Sequence, residues 1–127
     1  MRLHHVQVSC PRGGEAEARR FYGEGLGLTE VAKPEALAAR GGVWFRAYDD
    51  DGGGVAAELH VGVEEPFAPA RKAHPALLMP SLEALEEVVG RLGRLGYAAD
   101  RSEWSTFEGY RRVHVSDAHG NRLELLS

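Results

Sequence analysis

Apolar positions recur along this chain in two rhythms. Period-two alternation marks strands at Leu3 to Ser9, Leu28 to Ala32, Gly42 to Tyr48 and Val55 to Gly62. It returns at His74 to Met79, Tyr97 to Arg101, Arg111 to Ser116 and Asn121 to Leu126. Helical spacing appears in Glu15 to Glu24, with Ala18, Phe21 and Tyr22 on one face and Glu15 and Arg19 four apart. It appears again after Ser81, a plausible N-cap, where Leu82, Leu85, Val89 and Leu92 follow before Gly96 ends the helix. Asp49 to Gly54 reads as a hairpin loop, and Asp117-Ala118-His119-Gly120 as a turn. Pro34 to Arg40 is ambiguous, with one helical turn at most. Residues 64–72, with Pro66 and Pro69, read as a linker. The element order is therefore βαβββ, linker, βαβββ.

That order is an internal repeat. A shift of 69 places His5 on His74, Val8 on Leu77, and Leu26-Gly27-Leu28 on Leu95-Gly96-Tyr97. A shift of 66 places Ala57-Glu58-Leu59 on Leu123-Glu124-Leu125. Each half thus carries a His on its first strand and a Glu on its last. The expected fold class is α+β: paired βαβββ modules forming a concave, partly closed mixed sheet with helices on the outer face. One domain, 1–127, is expected, with repeats at about 1–63 and 73–127.

Side-chain parity gives these residues a common direction. Val6 and Val8 can pack on the first helix, which leaves His5 and Gln7 on the other face. Glu58 and His60 share a face, as do His74, Ala76 and Leu78, and Glu124 lies opposite Leu123 and Leu125. A buried carboxylate is costly unless paired, protonated or metal-bound. Two His and two Glu converging about a pseudo-twofold axis would suit a six-coordinate divalent ion with two open positions.

Composition narrows the partners. Fifteen basic and nineteen acidic side chains leave a formal charge of −4, so nucleic acid is not expected. No apolar run nears the roughly 20 residues that span a bilayer, and the N-terminus lacks a signal-peptide core. Cys10 is the only cysteine, which excludes an internal disulfide and points to a reducing, cytoplasmic setting. Asp49-Asp50-Asp51-Gly52 lacks the remaining spacing of a calcium loop. His4, His114 and His119 read as surface or packing residues, His114 and His119 having no mate in the repeat.

The segments Leu3-His4-His5-Val6, Phe21-Tyr22 with Leu26-Gly27-Leu28, His74-Pro75-Ala76-Leu77, and Asp117 through Leu125 resemble the vicinal oxygen chelate superfamily. This is the glyoxalase, bleomycin-resistance and extradiol-dioxygenase group, and the resemblance covers essentially the whole chain. The usual Pro after the turn Asp is Ala118 here. The resemblance implies metal ligands His5, Glu58, His74 and Glu124, with His60 the other choice on the fourth strand. It implies one divalent ion per site (Zn, Ni, Mn, Co or Fe), with Glu58 or Glu124 moving a proton. Gln7, Trp44, His60 and Trp104 are candidate substrate contacts. The segment Arg101 to Arg112 reads either as a mobile cover or as a packed loop. Arg46 reads either as a pocket-lining residue or as a surface one.

The expected function is a metal-dependent isomerase, lyase or dioxygenase acting on vicinal oxygens of a small molecule, as a homodimer. Glyoxalase I itself is disfavoured, since Ser9 and Gly62 stand where its glutathione contacts would be. Fosfomycin modification is disfavoured because only three residues follow Glu124. The alternatives are a non-catalytic antibiotic-binding protein of the bleomycin-resistance type and a member whose ligand residues survive only as a polar core. Metal content separates them.

Overall fold

The computed structural model describes residues 1–49 and 51–127. The first half contains β1 (Val6–Cys10), α1 (Glu15–Ala18), which continues as a π-helical stretch over Arg19–Gly25, β2 (Thr29–Val31), α2 (Glu35–Ala38), β3 (Val43–Tyr48) and β4 (Val55–Val63). The second contains β5 (Ala76–Leu78), α3 (Leu82–Arg94), β6 (Arg112–Ser116) and β7 (Arg122–Leu126). The hairpin loop expected over 49–54 includes Asp50, which lies outside the described residues.

The strands form two open mixed sheets, ordered β1-β4-β3-β2 and β5-β7-β6. In each, the opening strand runs parallel to the last strand of its half, and the strand before that last one runs antiparallel to it. The repeat in the sequence is thus a repeat in topology. Helices pack on the apolar faces, giving the α+β arrangement that the pattern implies.

Several element limits differ from the sequence reading. Tyr97 to Arg101 does not form a strand; it contributes one antiparallel bridge, Asp100 to His114. The reason is local: the Asp100 carboxylate accepts the Ser102 amide at 2.8 Å and turns the chain out of the ladder. The bridge holds the place of β2, where Thr29 faces Arg46. β1 begins at Val6 rather than Leu3, and β5 at Ala76 rather than His74, just past Pro75, which has no amide to donate. The buried stripe of α3 is Leu85, Val88 and Leu92, while Leu82 is 48% exposed. Ser81 caps α3 as expected, its hydroxyl accepting the Ala84 amide at 3.1 Å.

One core serves both halves. Phe21, Tyr22, Phe45, Leu59 and Val61 from the first pack in the same cluster as Leu85, Leu92, Val113, Leu123 and Leu125 from the second. The helices meet closely at Gly25, where a β-carbon would lie 2.7 Å from Leu92 Cδ2. Arg91 Nε donates to the Gly25 carbonyl across the same contact, at 2.8 Å.

A buried polar hub also joins the halves. Asp117 Oδ1 accepts the amides of His119 (2.9 Å) and Asn121 (2.8 Å). Its Oδ2 accepts the Tyr22 hydroxyl (2.7 Å) and Asn121 Nδ2 (2.8 Å). Asn121 Nδ2 also donates to the Ser9 carbonyl on β1 at 2.7 Å. Burial, and then the Asp117 charge, push the Tyr22 hydroxyl far above the usual phenol range. His119 is part of this joint: its Nε2 donates to the Gly14 carbonyl at 2.9 Å, so it is a bridging residue and not a solvated one.

Replacing Asp117 strands four donors in a dry place. Asp117→Ala is expected to cost about 3–5 kcal/mol of stability by urea denaturation, against about 1 kcal/mol for Tyr22→Phe. Wild-type stability in Asp117→Ala would show that the hub is dispensable. A second expectation concerns acid. Glu15 accepts the Gly42 amide at 2.8 Å, and that bond holds its carboxyl below the usual range. Gly42 has φ +80°, and a β-carbon there would meet the Val61 carbonyl, so the amide is fixed in place. A carboxyl lowered by folding stabilises above its unfolded value and loses that contribution as pH falls through the folded one. Glu15→Gln should therefore melt lower than wild type at pH 7, and the gap should narrow between pH 7 and about pH 3. A gap that stays constant between those values would refute this role.

Candidate functional site

The face of each sheet turned away from the core carries the polar residues. In the second half, β7 presents Glu124 and β6 presents His114 directly opposite it. His74 reaches the same point from the segment before β5. A ligand atom from each of these three lies within 4.8 Å of the others, and among the described residues no other His, Cys, Asp or Glu group is so arranged. His74 Nε2 is 3.1 Å from Glu124 Oε2, and His114 Nε2 is 3.9 Å from the same oxygen.

The tautomer of His74 is fixed from behind. Its Nδ1 donates to the Lys72 carbonyl at 2.7 Å, so the neutral ring turns the lone pair of Nε2 toward a carboxylate. Two acceptors facing each other need a cation between them, either a proton or a metal ion. A backbone carbonyl holding the far nitrogen of a histidine is the usual support of a metal-binding imidazole. The donor set of two imidazoles and one carboxylate suits a divalent transition ion, so the residues present fit the metal that the sequence implies.

The electrostatics favour the binding-competent protonation states. Burial alone would raise the Glu124 carboxyl, but the polar groups that face it, His74 and Arg112 above all, outweigh it and hold it below the usual carboxylate range. Burial, reinforced by the Arg122 charge, lowers His114 and keeps its imidazole neutral. Arg112 Nη1 donates to Glu124 Oε1 at 3.2 Å, while its Nη2 bonds Glu103 and the Thr106 hydroxyl.

The first half uses the equivalent positions differently. Arg46, opposite Glu58 in register, donates to Glu58 Oε2 at 2.7 Å, and His60 Nε2 lies 2.7 Å from Glu58 Oε1. Both oxygens are thereby engaged, and the His60 and Arg46 hydrogen bonds, against burial, lower the Glu58 carboxyl. His60 itself is lowered by burial, opposed by Glu58. Its ring is stacked between Trp44 (centroids 3.7 Å apart, parallel) and His5 (4.1 Å).

The expected site residues therefore fall in two groups. His74 and Glu124 come together, whereas His5, Glu58, His60 and Trp44 form the stack of the other sheet. Gln7 is exposed on β1, with its amide over Gly62. Trp104 packs against the core with Arg101 4.7 Å from its ring centre, and its carbonyl accepts the amide of Arg112, the residue that bonds Glu124. The segment Arg101 to Arg112 is a tied loop: Arg101 forms a double ion pair with Glu86, and Arg112 joins Glu103 and Thr106. His114 is the residue that sequence reasoning passed over. Its signal was the hairpin around the turn Asp117 to Gly120, which sets residue 114 opposite 124, as 46 is opposite 58.

His114→Gln is expected to weaken Zn or Co binding by about 10–100-fold in competition with a coloured chelator. His119→Gln, outside the group, should leave it unchanged. Equal affinities for the two variants would remove His114 from the site.

Comparison with known proteins adds a lineage. A family model described as Glyoxalase/Bleomycin resistance protein/Dioxygenase superfamily matches residues 2–125. Among solved structures, a protein from Bacillus anthracis described as of the glyoxalase family is 39% identical, with 99% of this chain and 98% of that one covered and a TM-score of 0.81. The fosfomycin resistance protein FosX from Listeria monocytogenes shares the fold at 13% identity, covering 100% and 90%, with a TM-score of 0.69. Oxidase ChaP-H2 does so at 19% identity, covering 100% and 93%, with a TM-score of 0.71. None of the curated proteins compared matches the chain.

Proposed function

The chain belongs to the Glyoxalase/Bleomycin resistance protein/Dioxygenase superfamily, and from that premise we propose that it is a divalent-metal-dependent enzyme acting on neighbouring oxygens of a small molecule. The observation that carries this reading is the His74 ring, locked by the Lys72 carbonyl with Nε2 toward the buried Glu124. His74, His114 and Glu124 would hold the ion. When bound, such an ion supplies Lewis acidity to a developing oxyanion and leaves positions for two substrate oxygens.

The chain's own groups do the rest. Glu124 stays ionised at neutral pH and is steadied on Oε1 by Arg112, so Oε2, which faces His74 and His114 and would ligate the ion, could take a proton from substrate and return it on leaving that position. Isomerase and lyase chemistry use such a proton transfer, whereas dioxygenase chemistry would require a redox-active ion and dioxygen as well. The proposal includes a homodimer. His5 is exposed on the other sheet, and a second copy laying its first sheet over this group would add an imidazole. Symmetric dimers are the commonest oligomers.

A second reading rests on the Trp44–His60–His5 stack. Three parallel or nearly parallel rings offer a flat surface for a planar ligand, as a non-catalytic binding protein would need. Metal analysis separates the two readings. Purified untagged protein supplemented with mixed divalent ions should retain about one ion per chain by plasma mass spectrometry, and His74→Ala should lose it. Protein that retains none would sink the enzyme reading and leave the aromatic stack as the working site.

A further inference from the structure

Beside the three-residue group lies a cavity of about 620 Å³, lined among others by Arg71, Asp100, His114, Ser116 and Arg122. That volume suits a small-molecule ligand. His114 belongs to both the cavity and the proposed metal group, so a molecule held at Glu124 has room to extend this way. We propose that this cavity is an oxyanion subsite, with Arg122 the residue that grips a carboxylate or phosphate and Arg71 at its rim. The inference rests on the reading of His74, His114 and Glu124 as the reacting end.

Four observations carry it. First, Arg122 Nε is buried with no hydrogen-bond partner, alone in this among the described side-chain nitrogens and oxygens. A guanidinium N–H without an acceptor is costly in a folded protein and marks a place where one is wanted. Second, among the described residues no carboxylate lies within 4.0 Å of the Arg122 or Arg71 guanidinium, whereas Glu124 on the same face has Arg112 and His74 within that distance. Asp100, the acid that lines the cavity, spends Oδ1 on the Ser102 amide and feels the Arg122 charge without forming an ion pair with it. In a chain with four more acids than bases, a lining with two guanidiniums against the single carboxylate of Asp100 is a local reversal of charge.

Third, the register sets the geometry. Arg122 faces Ser116 as Glu124 faces His114, so Arg122 and Glu124 share one face of β7 two residues apart. Their Cα atoms are thus about 6–7 Å apart along the strand. Fourth, the cavity wall is fixed. The Arg122 amide donates to the Ala70 carbonyl at 2.8 Å, and the Ala70 amide donates to Asn121 Oδ1 at 3.0 Å. These bonds pin the linker to β7 and set Arg71 at the rim. The planar fork of arginine matches the paired oxygens of a carboxylate or phosphate. The substrate class that follows is a small molecule with vicinal oxygens at one end and an anionic group at the other.

The test uses metal-free full-length protein and inorganic phosphate or acetate as probes. Proton–nitrogen correlation spectra would follow the Arg122 Nε–H signal through each titration. The expected result is a saturable shift of that signal with at least one probe, and the stronger probe identifies the natural group as phosphate or carboxylate. In Arg122→Gln and Arg122→Lys, which lack that signal, binding is read from the backbone amides of the cavity lining, such as Ser116 and Gly120, and should weaken at least about tenfold, since Lys keeps the charge but loses the fork. Binding should persist in His74→Ala. Unchanged amide signals outside the cavity would show that the variants are folded. No saturable shift with either probe, or equal binding by Arg122→Gln, would overturn the subsite. Because the readout needs no metal, phosphate or acetate binding without metal binding would sink only the enzyme reading, and metal binding without anion binding only this one.

Discussion

The arrangement depends on one buried carboxylate. Asp117 terminates β6, and with both oxygens it organises the turn that starts β7. The register of that hairpin decides that His114 and Glu124 face each other. The same carboxylate takes the Tyr22 hydroxyl, and its partner Asn121 takes the Ser9 carbonyl, so the turn is anchored to the other half. Asn121 also holds the linker through Ala70. A local turn thereby sets a hairpin, an interface between repeats and one wall of a cavity. Charge-assisted bonds of this kind are strong in a dry setting and costly to leave half made.

Around that joint, two halves of like topology carry unlike chemistry. The difference lies in what stands opposite the shared glutamate. Arg46 faces Glu58 and saturates it with His60, so the first site is electrically closed. His114 faces Glu124, and a neutral imidazole leaves the carboxylate short of positive charge even with Arg112 at its other oxygen. The second site is therefore the one with a use for a cation.

Much of this was legible in the sequence because it depends on short-range rules. Strand parity put Glu58 with His60 and Glu124 away from Leu123 and Leu125. The double βαβββ order followed from Gly and Pro punctuation and the repeat. The residues missed are those whose role depends on a cross-strand partner. His114 had no mate in a shift of 69 or 66, because the loop lengths of the two halves differ; its true mate is Arg46, visible only once the hairpin register is known. His119 reads as a turn residue until Gly14 is placed beside it. The strand expected at Tyr97 to Arg101 has the right alternation, but Asp100 prefers its own turn, a competition that pattern cannot weigh. The convergence of His5 on His74 was inferred from symmetry alone, and symmetry of topology did not bring the two rings together within one chain.

The stack of Trp44, His60 and His5 has an optical consequence. The indole of Trp44 lies parallel to the imidazole of His60 at 3.7 Å, and that imidazole is bonded to a carboxylate which answers to Arg46. An indole in such contact is sensitive to the charge on the ring beside it. Trp104, the other tryptophan, sits under Arg101, on the loop that Arg112 ties to Glu124. Each half thus carries its own tryptophan, one beside the closed polar stack and the other on the loop tethered to the open site, and the two halves of the molecule can be followed separately by light without adding a label.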